Sequence, residues 1–375
     1  YHEIRWNNRL IAITGARGTG KTTLMLQYIK EHYPGYDNDT LYVSLDNIWF
    51  TTHSLFELAD EFQKMGGKAL FLDEVHKYPS WSREIKNIYD SFPDIKIVFI
   101  GSSLLEIHKG EADLSRRAVT YHLHGLSFRE FLQFEYGYKM EALPLSDILT
   151  KHIELAMNVS KQLKPLVAFN EYLTYGYFPL YKEDKILYHE RLLATLNTIL
   201  DVDLPSTEKI DYYSIGKIKK LFSILAGLVP YIPNISMLSK EIEVSRISLL
   251  NYLSYLQKAQ ALLLLDKGAS GIKQLAKPEK IYLGNTNYAY ALGGEKTDIG
   301  NVRETFFFNQ TAVKHKVTYS SQIDFTLNET YNFEIGGKNK TQKQLAGVEN
   351  GYLALDNIEI GFNNEIPLWL FGLMY

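Results

Sequence analysis

The chain has 375 residues, room for about two to four domains, and its 46% hydrophobic and 22% charged residues are those of a folded globular protein. A formal net charge of -3 gives no global field for nucleic acid or an anionic membrane, so any such contact has to be local. The absence of cysteine excludes disulfides, thiolate zinc sites and cysteine nucleophiles, and fits a reducing cytoplasm.

The first element is an apolar run, Leu10–Thr14, that stops at the glycine-rich stretch GARGTGKTT. Gly15, Gly20, Lys21 and Thr22 fit G-x-x-x-x-G-K-[ST], the phosphate-binding loop. A polyphosphate held without water must touch backbone N–H groups, and glycine lets the backbone come that close. The residues expected around the nucleotide are Gly15, Ala16, Arg17, Gly18, Thr19, Gly20, Lys21, Thr22 and Thr23. Lys21 reaches for the terminal phosphates, the Thr22 hydroxyl for Mg²⁺, and the helix Lys21–His32 offers its N-terminus to anions. An ordinary strand-turn-helix with a surface lysine is the plain alternative.

A β-like run at Leu41–Leu45 and a helix at Leu55–Lys64 come next, then the buried run Ala69–Asp73. Asp73 and Glu74 stand at its C-terminal end, where α/β sheets bind ligands. Asp73 is expected to hold Mg²⁺, and Glu74 to polarise the attacking water as general base. A helix at Trp81–Ser91 and a strand at Ile95–Ile100 lead to Ser102 and Ser103, small polar groups suited to sensing the γ-phosphate or to capping a short helix near Leu104–His108. Arg116 and Arg117 precede the last run, Val119–Leu123, on the side where the γ-phosphate is expected. One of them would serve as an arginine finger, or the pair is solvated or bridged to Glu111 or Asp113. Arg17 is the next candidate. Strands alternating with helices predict an α/β core, a parallel sheet covered on both faces.

The stretches GARGTGKTT, LFLDEVHKYPSWSREIKNIYD, GSS and DLSRRAVTYHLHGLSFREF resemble a prokaryotic AAA+ P-loop ATPase family, densely over about Arg5–Phe134 and more faintly beyond. The resemblance implies an ATPase core, a helical and winged-helix region, and a C-terminal domain related to restriction endonucleases. It implies ATP rather than GTP, since no N-K-x-D guanine reader follows the core, and a cytoplasmic protein.

From about Ser127 to Leu225 the pattern is mainly helical, interrupted by GYFPL at Gly176–Leu180. Asn234–Lys267 has helix-turn-helix proportions, with Ser236 and Ser245 as caps and Ile247, Leu250, Leu253 and Leu256 as the apolar stripe. Runs at Ala261–Leu265 and Lys280–Leu283 would form a wing. The second helix would offer Arg246, Ser248, Asn251, Ser254, Gln257 and Lys258 to DNA, with Lys267, Lys273 and Lys277 on the wing. Two cations on that helix are few beside the six to ten phosphate contacts of roughly typical binders, which favours a packing or regulatory module. In the nuclease-like region Glu304, Asp324 and Glu334 match the metal-binding acids, but Gly336 stands where the lysine belongs. Lys338 would face the same side one pleat along.

The expected domains are residues 1–137, the ATPase core; 138–213, a helical linker or lid; 214–290, winged-helix-like; and 291–375, nuclease-like and degenerate. The functional expectation is Mg²⁺-dependent ATP hydrolysis driving a conformational switch. An ATP-gated DNA nuclease and a nucleotide-bound DNA-binding regulator are the rivals. Self-association is expected, DNA is a weakly supported partner, and the sequence names no protein partner. No apolar run approaches the roughly 20 residues that cross a bilayer, and YHEIRWNNRL is not a signal peptide. Because the chain begins at Tyr1, an upstream extension is expected.

Overall fold

The run LIAITG becomes β1 (Leu10–Gly15), and all six of its residues are buried. Such a strand needs a cover on each side. The computed structural model describes residues 3–35, 38–102, 114, 116–208, 210–268 and 277–375. The chain divides into two units, residues 1–124 with 201–211, and residues 125–200 with 212–375.

In the first unit β1, β2 (Thr40–Ser44), β3 (Ala69–Asp73), β4 (Lys96–Ser102) and β5 (Val119–His122) form a parallel sheet in the order β2-β3-β4-β1-β5. Strand side chains alternate between faces. Leu10, Ala12, Leu70, Leu72, Ile97 and Phe99 pack on one side with Leu55, Ala59 and Phe62 of α2 (Leu55–Lys64) and Ile85 and Ile88 of α3 (Trp81–Ser91). Ile11, Ile13, Phe71, Val98 and Ile100 pack on the other with Met25 and Tyr28 of α1 (Lys21–His32). Ser54 starts α2 with a reciprocal cap, its hydroxyl accepting from Glu57 N while the Glu57 carboxylate accepts from Ser54 N.

All five strands run the same way, so their C-terminal ends share one edge. The register sets Gly15 beside Ser102 and Ser44 beside Asp73. The loop after β1 and the turn after β3 therefore open on the same edge, with β4 between them. The sequence expectation for these strands and for α1, α2 and α3 holds to within about two residues at each end. The short helix near Leu104–His108 lies outside the described residues.

The second unit begins with helices, among them Phe128–Tyr136, Leu145–Ser160, Tyr188–Thr198 and Tyr212–Ala226. It continues with the helix pair Ile235–Glu241 and Arg246–Lys258, and an antiparallel ribbon of β6 (Leu262–Leu265) and β7 (Lys280–Leu283). A second sheet follows, of β8 (Val317–Thr318), β9 (Phe325–Leu327), β10 (Tyr331–Gly337), β11 (Gly351–Asp356) and β12 (Glu365–Pro367). Its strands are antiparallel from β8 to β10 and parallel from β10 to β12.

The first boundary falls after His124 rather than 137, because Phe128, Phe131 and Leu132 bury against second-unit aromatics such as Tyr172 and Trp369. Residues 201–211 return to the first unit, so a boundary lies at 211/212, two residues before the expected 213/214, while the expected 290/291 falls within the second unit.

Leu72 is fully buried and Leu26 is 44% exposed. Leu72→Ala should cost about 2–5 kcal/mol in urea unfolding followed by tryptophan fluorescence, and Leu26→Ala less than about 0.5 kcal/mol. Equal losses would place the core elsewhere.

Candidate functional site

The loop after β1 turns through Gly15, Gly18 and Gly20, whose φ angles are 159°, 87° and 92°. A Cβ on Gly15 would stand 2.3 Å from the Leu123 carbonyl oxygen, so this position admits only glycine. Thr19 is buried, and its hydroxyl donates to the Ala16 carbonyl at 2.9 Å, bracing the loop. Lys21 opens α1 and folds back, donating to the Gly15 and Ala16 carbonyls at 2.9 Å each. Burial pushes its ammonium down to about 8, against the opposing pull of Glu74 and Asp73. Thr23, two residues beyond Lys21, is exposed.

Thr22 reaches across the sheet edge. Its hydroxyl donates to Asp73 Oδ2 at 2.9 Å, and the Tyr42 hydroxyl donates to the same oxygen at 2.9 Å. Asp73 Oδ1 accepts from Glu74 N at 2.7 Å. That bond fixes Glu74 in the left-handed region, φ 51° and ψ 36°, a conformation that costs a non-glycine residue about 1 kcal/mol or more. Glu74 Oε2 is buried without a hydrogen-bond partner among the described residues, 3.3 Å from His76 Nε2. An acceptor held ready beside a phosphate loop is what a general base needs.

Asp203, distant in sequence, completes this arrangement. Its carboxylate accepts from Arg17 Nε at 3.1 Å and Nη2 at 3.0 Å, and from Lys77 Nζ at 3.2 Å, with His76 Nε2 3.9 Å away. Burial opposes its ionisation, but His76, Arg17 and Lys77 outweigh burial and hold the carboxyl well below the usual carboxylate range. Sequence reading missed Asp203, Lys77, His76 and Tyr42. His76 and Lys77 were findable in the DEVHK run beside the carboxylates, whereas no local signal marks Asp203.

Ser102 ends β4 abreast of Gly15, between the two strands that carry the loop and the acids. Ser103 lies outside the described residues, as do Glu111 and Asp113. Arg116 and Arg117 do not lie on the γ-phosphate side of the sheet. They precede β5, which runs parallel to β1 with Val119 beside Ile11, so they sit at the N-terminal edge of the sheet, opposite their own phosphate loop. Arg117 makes a two-pronged ion pair with Asp90 at 3.0 and 3.1 Å, and Arg116 is exposed.

In the second unit Asn234, not Ser236, caps the first helix of the helix-turn-helix pair, accepting from Met237 N, because the helix starts one residue before Ser236. Ser245 caps the second, as expected. Ile247 is 66% exposed rather than part of the stripe, and Leu249 and Tyr252 are buried beside Leu250, Leu253 and Leu256. Of the residues expected to face DNA, Arg246 and Gln257 are exposed and Ser248, Asn251, Ser254 and Lys258 are half-buried. Lys267 pairs with Glu279, Lys277 is exposed, and Lys273 lies outside the described residues.

The three nuclease-like acids are each engaged. Glu304 accepts from Lys280 and the Tyr282 hydroxyl, and Asp324 accepts from Ile335 N. Glu334 is buried and pairs with Lys340 at 2.5 Å. The Lys340 stem lies over Gly336, where a Cβ would come within 2.7 Å of it. The lysine that pairs with Glu334 is thus Lys340, beyond the end of β10, and not Lys338. Among the described residues no group of three or more acids or histidines is disposed to hold a metal.

Residues 7–132 match a family model described as an AAA domain, and residues 167–298 one described as a domain of unknown function, DUF8612. Neither supports a nuclease-type reading of residues 291–375. Two uncharacterized proteins of Methanocaldococcus jannaschii are similar: MJ1637, 27% identical over 72% of this chain and 60% of its own, and MJ1544, 25% identical over 80% and 66%. The chain thus spans less than two thirds of either relative. Domain III of the Thermotoga maritima replication initiation protein DnaA aligns with a TM-score of 0.26 at 16% identity, over 43% of this chain and 82% of that one. PCH-2 of C. elegans aligns with a TM-score of 0.26 at 17% identity, over 42% and 43%. Residues 7–132 are thus similar to an AAA domain, and they fold as a parallel α/β sheet in the order β2-β3-β4-β1-β5 that carries the phosphate-loop motif.

Proposed function

We propose that the loop Gly15–Thr22 and the acids Asp73 and Glu74 bind and hydrolyse ATP with Mg²⁺, and that the cycle repositions the parts of the chain joined to this site. The observation that carries the reading is the Thr22–Asp73 hydrogen bond next to the Lys21 loop. It joins the two oxygens that a phosphate-bound hard cation takes from a P-loop protein.

Thr22 Oγ1 and Asp73 Oδ2 would hold Mg²⁺, and their oxygen-only chemistry fits it. Bound there, Mg²⁺ supplies neutralisation of charge on the phosphate oxygens. Loop amides from Gly18 to Thr22 receive the phosphates. Lys21 exchanges the Gly15 and Ala16 carbonyls for phosphate oxygens. Glu74, with a free carboxylate oxygen, orients the attacking water and takes its proton. Ser102, where β4 ends, and the next residue in sequence, Ser103, are the pair proposed to read the γ-phosphate. ATP rather than GTP is the nucleotide that the family resemblance implies.

Arg116 and Arg117 face away from their own loop, so an arginine finger from this pair acts on a neighbouring copy, which makes self-association part of the proposal. The exposed Arg116 is the better placed, since Arg117 is held by Asp90. For DNA cleavage the support is weaker, because Lys280 and Lys340 already neutralise two of the three acids. No helix among the described residues is long and apolar enough to cross a membrane.

ATP with Mg²⁺ at a hundred times its dissociation constant should stabilise the fold by about 2.7 kcal/mol. A thermal melt should rise accordingly in wild type and stay unmoved in Lys21→Ala. No shift in wild type, with calorimetry also silent, sinks the proposal. Glu74→Gln should keep ATP affinity and lose roughly 10²- to 10⁴-fold in phosphate release. Near-normal release would assign the base elsewhere. If Arg116 completes a neighbour's site, turnover per molecule should rise with protein concentration. Arg116→Ala should then cut it about 10³-fold or more at unchanged affinity. Flat turnover on dilution, with an unaffected double Arg116→Ala, Arg117→Ala variant, reduces the pair to a surface feature.

A further inference from the structure

Asp203 ends a π-helical turn, Ile199–Asp203, within a segment, residues 201–211, that packs in the first unit although the chain before and after it belongs to the second. Its side chain is 1% exposed and receives Arg17 through two nearly equal bonds, 3.0 and 3.1 Å. Arg17 is the third residue of the phosphate loop, and 36% of its side chain remains exposed. A guanidinium fork takes a carboxylate or a phosphate in the same two-pronged way. Arg17 therefore has two suitable anions: Asp203, and the γ-phosphate of a nucleoside triphosphate on the loop.

Moving Arg17 from one to the other would normally strand a buried carboxylate at high cost. Here it does not, because Lys77 stays on Asp203 at 3.2 Å and His76 stands 3.9 Å away. The same His76 ring lies 3.3 Å from the free oxygen of Glu74, and both of its nitrogens are buried without hydrogen-bond partners among the described residues. Asp203 thus touches, directly or through His76, the loop side and the general-base side of the site.

We propose that Asp203 sets the nucleotide specificity of this site: Arg17 exchanges the Asp203 carboxylate for the terminal phosphate of a nucleoside triphosphate, and the exchange loosens residues 201–211. A diphosphate ends at the β-phosphate, offers no γ-phosphate to the guanidinium, and leaves Arg17 on Asp203. Nucleotide state is then written onto a segment whose two ends continue into the second unit. The proposal rests on the nucleotide reading above. Coupling of this kind is reciprocal: whatever the triphosphate does to loosen Asp203 from Arg17, Asp203 does to weaken the triphosphate.

The test is a titration with a fluorescent non-hydrolysable ATP analogue and the matching ADP analogue, both with Mg²⁺, on wild type, Asp203→Asn, Arg17→Ala and the double variant. Removing one negative charge helps both nucleotides, so the readout is the ratio of triphosphate to diphosphate affinity. Asp203→Asn should raise that ratio about fivefold or more. Arg17→Ala should lower it, and the double variant should match Arg17→Ala alone. A ratio unchanged in Asp203→Asn, or raised equally without Arg17, overturns the proposal and makes Asp203 a brace. Hydrogen exchange on wild type decides the matter even if a variant fails to fold. The amides of residues 201–208 should exchange faster with the triphosphate than with the diphosphate, and equal exchange contradicts the claim. If wild type binds neither nucleotide, the nucleotide reading fails as well; if it binds both without these differences, only the role of Asp203 falls.

Discussion

The hydrogen bond from Thr22 to Asp73 joins segments 51 residues apart, and most of the site's geometry depends on it. It can form because β1 and β3 run parallel with one strand between them, so both release their chains at the same edge of the sheet. Sheet order, not loop chemistry, brings a hydroxyl and a carboxylate to 2.9 Å. The loop then needs glycine at Gly15, where the Leu123 carbonyl leaves no room for a side chain. Glu74 in turn accepts backbone strain, since its N–H is held by the carboxylate of the residue before it.

A second constraint is the handling of buried charge. Lys21 lies inside the loop and is satisfied by two carbonyls, a provisional arrangement for an ammonium whose pKa burial has already lowered. Asp203 is buried as well and is satisfied by the cations of Arg17 and Lys77. Each group has a partner now and a reason to change partners when polyphosphate arrives. A site built this way stores its response in pairings, not in empty space. That is the property a nucleotide-driven switch requires, since a ligand shifts a conformational balance only through differential contacts with its states.

The core was legible because its signals are local. Gly15 to Thr22 are contiguous, the acids follow an apolar run, and strands and helices alternate at spacings that only a parallel sheet accommodates. What escaped was non-local. Asp203 lies 186 residues from Arg17 and 126 from Lys77, inside a stretch that reads as one more helix. Arg116 and Arg117 were placed on the wrong edge, although residues just before a parallel strand must lie at its N-terminal end. The helix-turn-helix proportions were legible, but the helical face was misjudged at Ile247, because the stripe follows Leu249 and Tyr252 instead. Lys340 reaches Glu334 by the turn after β10, which strand periodicity does not describe.

A crystal structure with a non-hydrolysable ATP analogue and Mg²⁺ tests the central claim most directly. The triphosphate is expected on the loop amides, with Lys21 off the Gly15 and Ala16 carbonyls and the metal held by Thr22 and Asp73. Crystals grown at saturating nucleotide that show the Thr22–Asp73 hydrogen bond intact and the analogue bound elsewhere, or not at all, would contradict it.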